Sequence, residues 1–201
     1  LSDGDVVTAA SEIPVEALAH PPETLGQAVS YEPSDPAAFR HMIGELPIDH
    51  AGYTFVDLGS GKGRTLLLAA AWPWRRILGV EASPLLHRIA ADNLRAWARA
   101  GNDGRRIDLA LADAAEFDPP AGPLVLYLFN PFHARAMARL LLALKLSLQA
   151  APREAWLVYY NPQLGYMLEA ASWLERVSAG RGFHQGDYGI WRARKELDGS
   201  W

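Results

Sequence analysis

Apolar positions fall along this chain in two alternating rhythms. Short, mostly apolar strand signals fall at Tyr53–Leu58, Arg76–Glu81, Ile107–Leu111, Leu124–Phe129 and Ala155–Tyr160. Between them, apolar spacings of three and four predict helices over Arg64–Ala71, Pro84–Ala100, His133–Ala150 and Leu164–Leu174. A run such as "LVLYLF" has no polar face, so the alternation implies a parallel sheet covered by helices on both sides. The segments "WLERVSAGRG" and "DYGIWRARK" read as two strands with no long helix between them, an antiparallel hairpin added to that sheet. A shorter helix over Ala37–Leu46 comes first, with Asp35 as its cap and Pro36 at its start. Before it the pattern fails, because Pro14, Pro21, Pro22, Pro33 and Pro36 interrupt every candidate period. The chain therefore divides into an arm or lid with one short helix, residues 1–48, and one α/β domain, residues 49–201.

Composition narrows the function more than the fold. Half of the 201 residues are apolar and 21 % are charged, as in an ordinary globular domain able to bury its own core. A net charge of −4 lacks the basic footprint of a nucleic-acid binder, so a nucleic-acid acceptor is disfavoured. The absence of cysteine excludes disulfides, thiolate metal sites and a cysteine nucleophile. The six histidines have no ligand-like spacing, and no metal is expected. No basic-then-apolar leader opens the chain, and its longest apolar stretch is broken by Arg139 and Lys145, so a cytoplasmic protein without a membrane span is expected. Monomer and homodimer both remain open.

Candidate chemistry concentrates in "YTFVDLGSGKGRTLLLAAA", a strand, a glycine turn and a helix. In an open α/β sheet, ligands sit beyond the carboxyl ends of the strands, and Gly59, Gly61 and Gly63 occupy the first such turn. A P-loop is excluded, because Lys62 is followed by Gly63 instead of Ser or Thr and the earlier glycine is missing. The spacing GxGxG also differs from the GxGxxG of dinucleotide folds, and Asp57 just before it would repel a pyrophosphate. A carboxylate there suits a ligand with an ammonium group. Glu81 ends the second strand, near the separation at which an acidic residue grips ribose hydroxyls; otherwise it caps the next helix. Asp113 ends the third, where it can accept from an adenine amino group beside the Ala114 amide, or simply cap its own loop. Three acidic strand tips around a glycine turn describe a nucleoside with a cationic, non-phosphate arm, as in S-adenosylmethionine.

On these residues the chain resembles the class I S-adenosylmethionine-dependent methyltransferases. "FVDLGSGKGR", "GVEAS", "LADAAEF" and "LVLYLFNPF" match their successive strand-end motifs over roughly residues 50–195. With "YEPS" and "YYNP", the set looks like a small bacterial group of these enzymes, with some likeness to the non-SET lysine methyltransferases. The resemblance implies a Rossmann-like, seven-stranded, mostly parallel sheet in the order 3-2-1-4-5-7-6, strand 7 antiparallel, with helices on both faces. It implies S-adenosyl-L-methionine as cofactor, held by Asp57, Gly59, Ser60, Gly61, Gly63, Glu81, Ala82, Asp113, Ala114 and Asn130.

The acceptor side is expected at Asn130-Pro131-Phe132, the tip of the fourth strand. There the Asn130 carbonyl can orient an amine N–H and Phe132 can form a wall. Tyr31 of the arm is placed over the sulfonium, and one of Tyr159 and Tyr160, which alternate in direction, faces the pocket; Tyr160 is the candidate. The leading expectation is transfer to nitrogen, on a protein lysine or a small-molecule amine. Alternatives are an O-methyltransferase of a small metabolite with His133 as base, and a non-catalytic protein of the same fold that only binds the cofactor.

Overall fold

The computed structural model describes residues 34–104, 106–183 and 186–194. Tyr31 and the rest of the expected arm up to residue 33 lie outside the described residues. Seven strands form one sheet: β1 (Thr54–Leu58), β2 (Arg76–Glu81), β3 (Ile107–Leu111), β4 (Leu124–Phe129), β5 (Ala155–Tyr160), β6 (Leu174–Phe183) and β7 (Gly186–Ala193). Their order is β3-β2-β1-β4-β5-β7-β6. The first five are mutually parallel, and β7 runs antiparallel between β5 and β6. Among the described residues five α-helices accompany them: α1 (Pro36–Gly44) before β1, and α2 (Arg64–Ala69), α3 (Pro84–Arg99), α4 (Ala134–Ala150) and α5 (Gly165–Ala170) between strands. Fold class, strand order and the antiparallel strand 7 are as the motifs imply.

Strand alternation sorts the core into two layers. Val56, Leu58, Leu126, Leu128, Leu157 and Tyr159 point toward α4, whose Met137, Leu140 and Leu144 meet them. Phe55, Val125, Tyr127, Val158 and Tyr160 point the other way, toward Phe39 and Met42 of α1 and Leu66 of α2. Phe39 anchors that second layer, with ring centroids 5.9 Å from Phe55 and 5.3 Å from Tyr127, both edge-on.

Local chemistry explains the helix ends. Asp35 accepts from the amides of Ala37 and Ala38 at 2.6 and 3.1 Å, with Pro36 at the first position of α1. Ser83 does the same for α3, accepting from Leu86 N–H at 3.4 Å ahead of Pro84. Helix α5 stops at Ala170, four residues short of the expected end. The sheet claims the residues beyond it, since Leu174 pairs with Ala193 and the Trp173 carbonyl accepts from Arg194 N–H. At the far edge, Gly180 lets the Tyr188 ring lie across β6, because an added Cβ would fall 2.2 Å from it. The Tyr188 hydroxyl then donates to Glu45 at 2.8 Å, fastening the hairpin to the end of α1.

Candidate active site

The carboxyl ends of β1, β2 and β4 meet at the glycine turn. Gly59, Gly61 and Gly63 all adopt left-handed backbone, φ +85°, +54° and +82°, which accounts for their alternate spacing. At Gly59 an added Cβ would stand 2.8 Å from Pro131 Cβ, so this glycine lets the tip of β4 close over the turn. The amides of Gly59 and Ser60 donate to the Val80 carbonyl, holding the turn against β2. Ser60 is buried, and among the described residues its Oγ has no hydrogen-bond partner. An unmet buried hydroxyl beside left-handed glycines suits a polar ligand pressed against the backbone. Gly79, which the motifs do not single out, completes the turn: a Cβ there would meet Leu66 at 2.6 Å and Ser60 Oγ at 2.9 Å. Its signal was a lone glycine inside an apolar strand, which often marks a close approach.

The acidic residues take distinct places. Glu81 accepts from Gly61 N–H and Ser83 N–H, both at 2.8 Å, and so staples the glycine turn to the start of α3. A carboxylate has about four acceptor sites, so two backbone bonds do not exhaust it. Asp57 is buried at 3 % exposure on the same side of the sheet. Desolvation, and then the charge of Glu81, push its carboxyl up to about 8, while a hydrogen bond from Thr65 works against them. Asp113 stands at the end of β3 as expected, with Oδ1 accepting from Ala115 N–H at 2.8 Å and capping its own 3₁₀ turn. Ala114 is buried beneath that turn, and Ala82 is half-buried between Glu81 and Ser83.

On the acceptor side the structure departs from the expected roles. Asn130 is buried at the tip of β4, but its Oδ1 already accepts from Tyr159 OH at 3.0 Å and from Gln163 N–H at 3.4 Å. The carbonyl expected to orient an amine is thus engaged within the protein. Phe132 packs into the α4 layer of the core. Tyr160 is fully buried in the opposite layer, its ring 4.9 Å from that of Phe129. Tyr159 is the tyrosine whose hydroxyl reaches the tip of β4. Alternation separated the two tyrosines but could not say which side the site would use. His133 is exposed at the start of α4 and makes no capping bond. Lys62, in the middle of the turn, is buried, and burial holds its ammonium below the usual lysine range.

Asn130 and Asn161 are the non-glycine residues with left-handed backbone among those described, φ +44° and +48°. Each precedes a proline, where α-region backbone is disfavoured, and each ends one of two adjacent strands, β4 and β5. The two left-handed asparagines thus stand at the same sheet edge as the glycine turn.

Comparison with known proteins bears on the fold. Solved structures with the same architecture include a putative methyltransferase from Escherichia coli, with TM-score 0.59 and 14 % identity over 84 % of this chain and 92 % of that one. They also include an RNA methyltransferase from Salinibacter ruber in complex with S-adenosyl-L-homocysteine, with TM-score 0.51 and 16 % identity over 84 % and 98 %. The fold is that of the Rossmann-like methyltransferases. Among curated proteins, a trans-aconitate 2-methyltransferase from Azoarcus sp. (strain BH72) is 38 % identical over 88 residues, 38 % of this chain and 33 % of that protein. The chain spans about a third of the length of the curated relatives it matches. No protein-family profile matches it. Among the described residues, no helix is long and apolar enough to cross a membrane.

Proposed function

We propose that the protein is an S-adenosylmethionine-dependent methyltransferase acting on a small molecule. The observation that carries this reading is the buried Asp57 at the glycine turn, its carboxyl pushed up to about 8. Two carboxylates in one crevice, Asp57 and Glu81, favour a cation between or beside them. The names of the relatives and the ligand of the Salinibacter ruber protein support the same donor. Asp57 would take the ammonium of the amino-acid arm, Glu81 the ribose hydroxyls, Asp113 and Ala114 the adenine edge, and Ser60 with the turn amides the backbone of the arm. When bound, the cofactor supplies an electrophilic methyl group on its sulfonium.

For the acceptor, Asn130 separates the two expectations. An amine needs the Asn130 carbonyl, which Tyr159 and Gln163 hold. An oxygen acceptor needs a donor, which the other end of the same amide carries. We therefore place an oxygen nucleophile of a small molecule ahead of a small-molecule or lysine amine. A carboxylate acceptor is already anionic and needs no general base, so the exposed His133 has no required role. The curated relatives named for trans-aconitate support that order. The test is incubation of the full chain with methyl-labelled S-adenosylmethionine and matched panels of small carboxylic acids, alcohols and amines. Label in acid-extractable methyl esters is expected; label confined to amines or to protein lysine would reverse the order, and no transfer to any panel would leave only a binding protein.

A further inference from the structure

The Asp57 carboxyl sits at one end of a buried run of hydroxyls. Thr65 of α2 hydrogen-bonds to it. Thr65 Oγ1 lies 3.5 Å from Ser34 Oγ, and Ser34 Oγ lies 2.9 Å from Tyr127 OH. Asp57, Thr65, Ser34 and Tyr127 are 3 %, 6 %, 5 % and 0 % exposed. Asp57 and Tyr127 are also register partners in the β1–β4 ladder, so the run leaves β1, crosses α2 and the residue before the α1 cap, and returns to β4.

Each link is a hydroxyl, able both to donate and to accept. With Asp57 protonated, hydrogens point away from it, from Asp57 to Thr65, to Ser34, to Tyr127. With Asp57 ionised they reverse, from Tyr127 to Ser34 to Thr65 to the carboxylate. The two arrangements interchange without moving a heavy atom. The reversed state also gives the phenol hydrogen its acceptor, and Ser34 is the partner of Tyr127 among the described residues. The run therefore favours the carboxylate against the burial and the Glu81 charge that oppose it. Other ionisable groups around it are Tyr160 of β5 and Asp35 at the α1 cap, which face Tyr127, and Lys62, buried in the turn.

We propose that Ser34, Thr65 and Tyr127 are positioning residues that ready the Asp57 carboxylate for the cationic arm of the donor, and that Ser34, next to the α1 cap, ties this to the placement of α1. The proposal rests on the reading of Asp57 given above. Its test is the affinity of the full chain for S-adenosylhomocysteine between pH 6 and 9, measured by calorimetry. The variants are Tyr127→Phe and Ser34→Ala, each alone and in the Asp57→Asn background. The comparison ligand is 5′-methylthioadenosine, which lacks the amino-acid arm. Tyr127→Phe should weaken S-adenosylhomocysteine binding about three- to tenfold at pH 7 and move the rise of affinity to higher pH. It should leave the armless ligand unchanged and have no effect in the Asp57→Asn background. Ser34→Ala, which cuts the run at its middle, should behave alike and serves if Tyr127→Phe unfolds. Equal losses for both ligands, an unmoved pH profile, or losses that persist in the Asp57→Asn background would overturn the hydroxyl run alone. Parental affinity in Asp57→Asn itself would overturn the role of Asp57 as well.

Discussion

Replacing Asp57 with asparagine should stabilise the unliganded protein while weakening its affinity for the donor. The carboxyl has a folded-state value of about 8 against about 3.9 in an unfolded chain. Between those values the native state holds a proton that the unfolded state has lost, so stability falls as pH rises. The contribution is fully present below about pH 4 and gone above about pH 8. At pH 7 the loss is on the order of 4 kcal/mol, from about three pH units at about 1.4 kcal/mol each. An asparagine amide occupies the place of the neutral carboxyl and has no proton to lose. Urea unfolding of both proteins without ligand at pH 5, 6, 7 and 8 should give a stability gap that widens in favour of Asp57→Asn. S-adenosylhomocysteine at a concentration that saturates the parent should stabilise the parent more than Asp57→Asn. Parallel stability curves across this range would refute the reasoning, because Asp57 would then be solvated or already paired with a cation.

Three further substitutions probe separate parts of the site and core. Gly59→Ala places a methyl 2.8 Å from Pro131 in left-handed backbone and should cost about 1–3 kcal/mol in chemical unfolding, with weaker donor binding by calorimetry. Tyr159→Phe frees Asn130 Oδ1 from its strongest partner; turnover should fall about tenfold in the methyl-label assay while S-adenosylhomocysteine affinity stays within about twofold. Phe39→Ala should lower stability by about 3–5 kcal/mol in urea unfolding, since its ring is fully buried against Phe55 and Tyr127.

Much of the frame was legible because one physical rule governed it. Strands covered on both faces read as mostly apolar runs, and all five parallel strands lie where such runs predicted them. The GxGxG spacing was legible because three left-handed residues in five positions leave little but glycine. Side-chain direction at the strand ends was not. Asn130 and Asn161 precede prolines, and the local rule for that context points away from the left-handed backbone they adopt. Alternation puts Tyr159 and Tyr160 on opposite faces, and only the packing of Tyr160 with Phe129 and of Tyr159 against α4 says which face each takes. Ser34 and Tyr127 are 93 positions apart, and no periodicity links a turn before α1 to the middle of β4. Asp113 could be placed at the sheet edge, while its bond to Ala115 depends on the shape of one short turn.

The central claim is that Asp57 and Glu81 hold the amino-acid arm and the ribose of one nucleoside ligand. Its most direct test is calorimetric titration of the full chain with S-adenosylhomocysteine and, separately, with NAD⁺ at pH 8, repeated for Asp57→Asn and Glu81→Ala. One site for S-adenosylhomocysteine, weakened at least about tenfold by either substitution, and no response to NAD⁺ are expected. Undiminished binding in both variants, or a site that takes NAD⁺ instead, would contradict it.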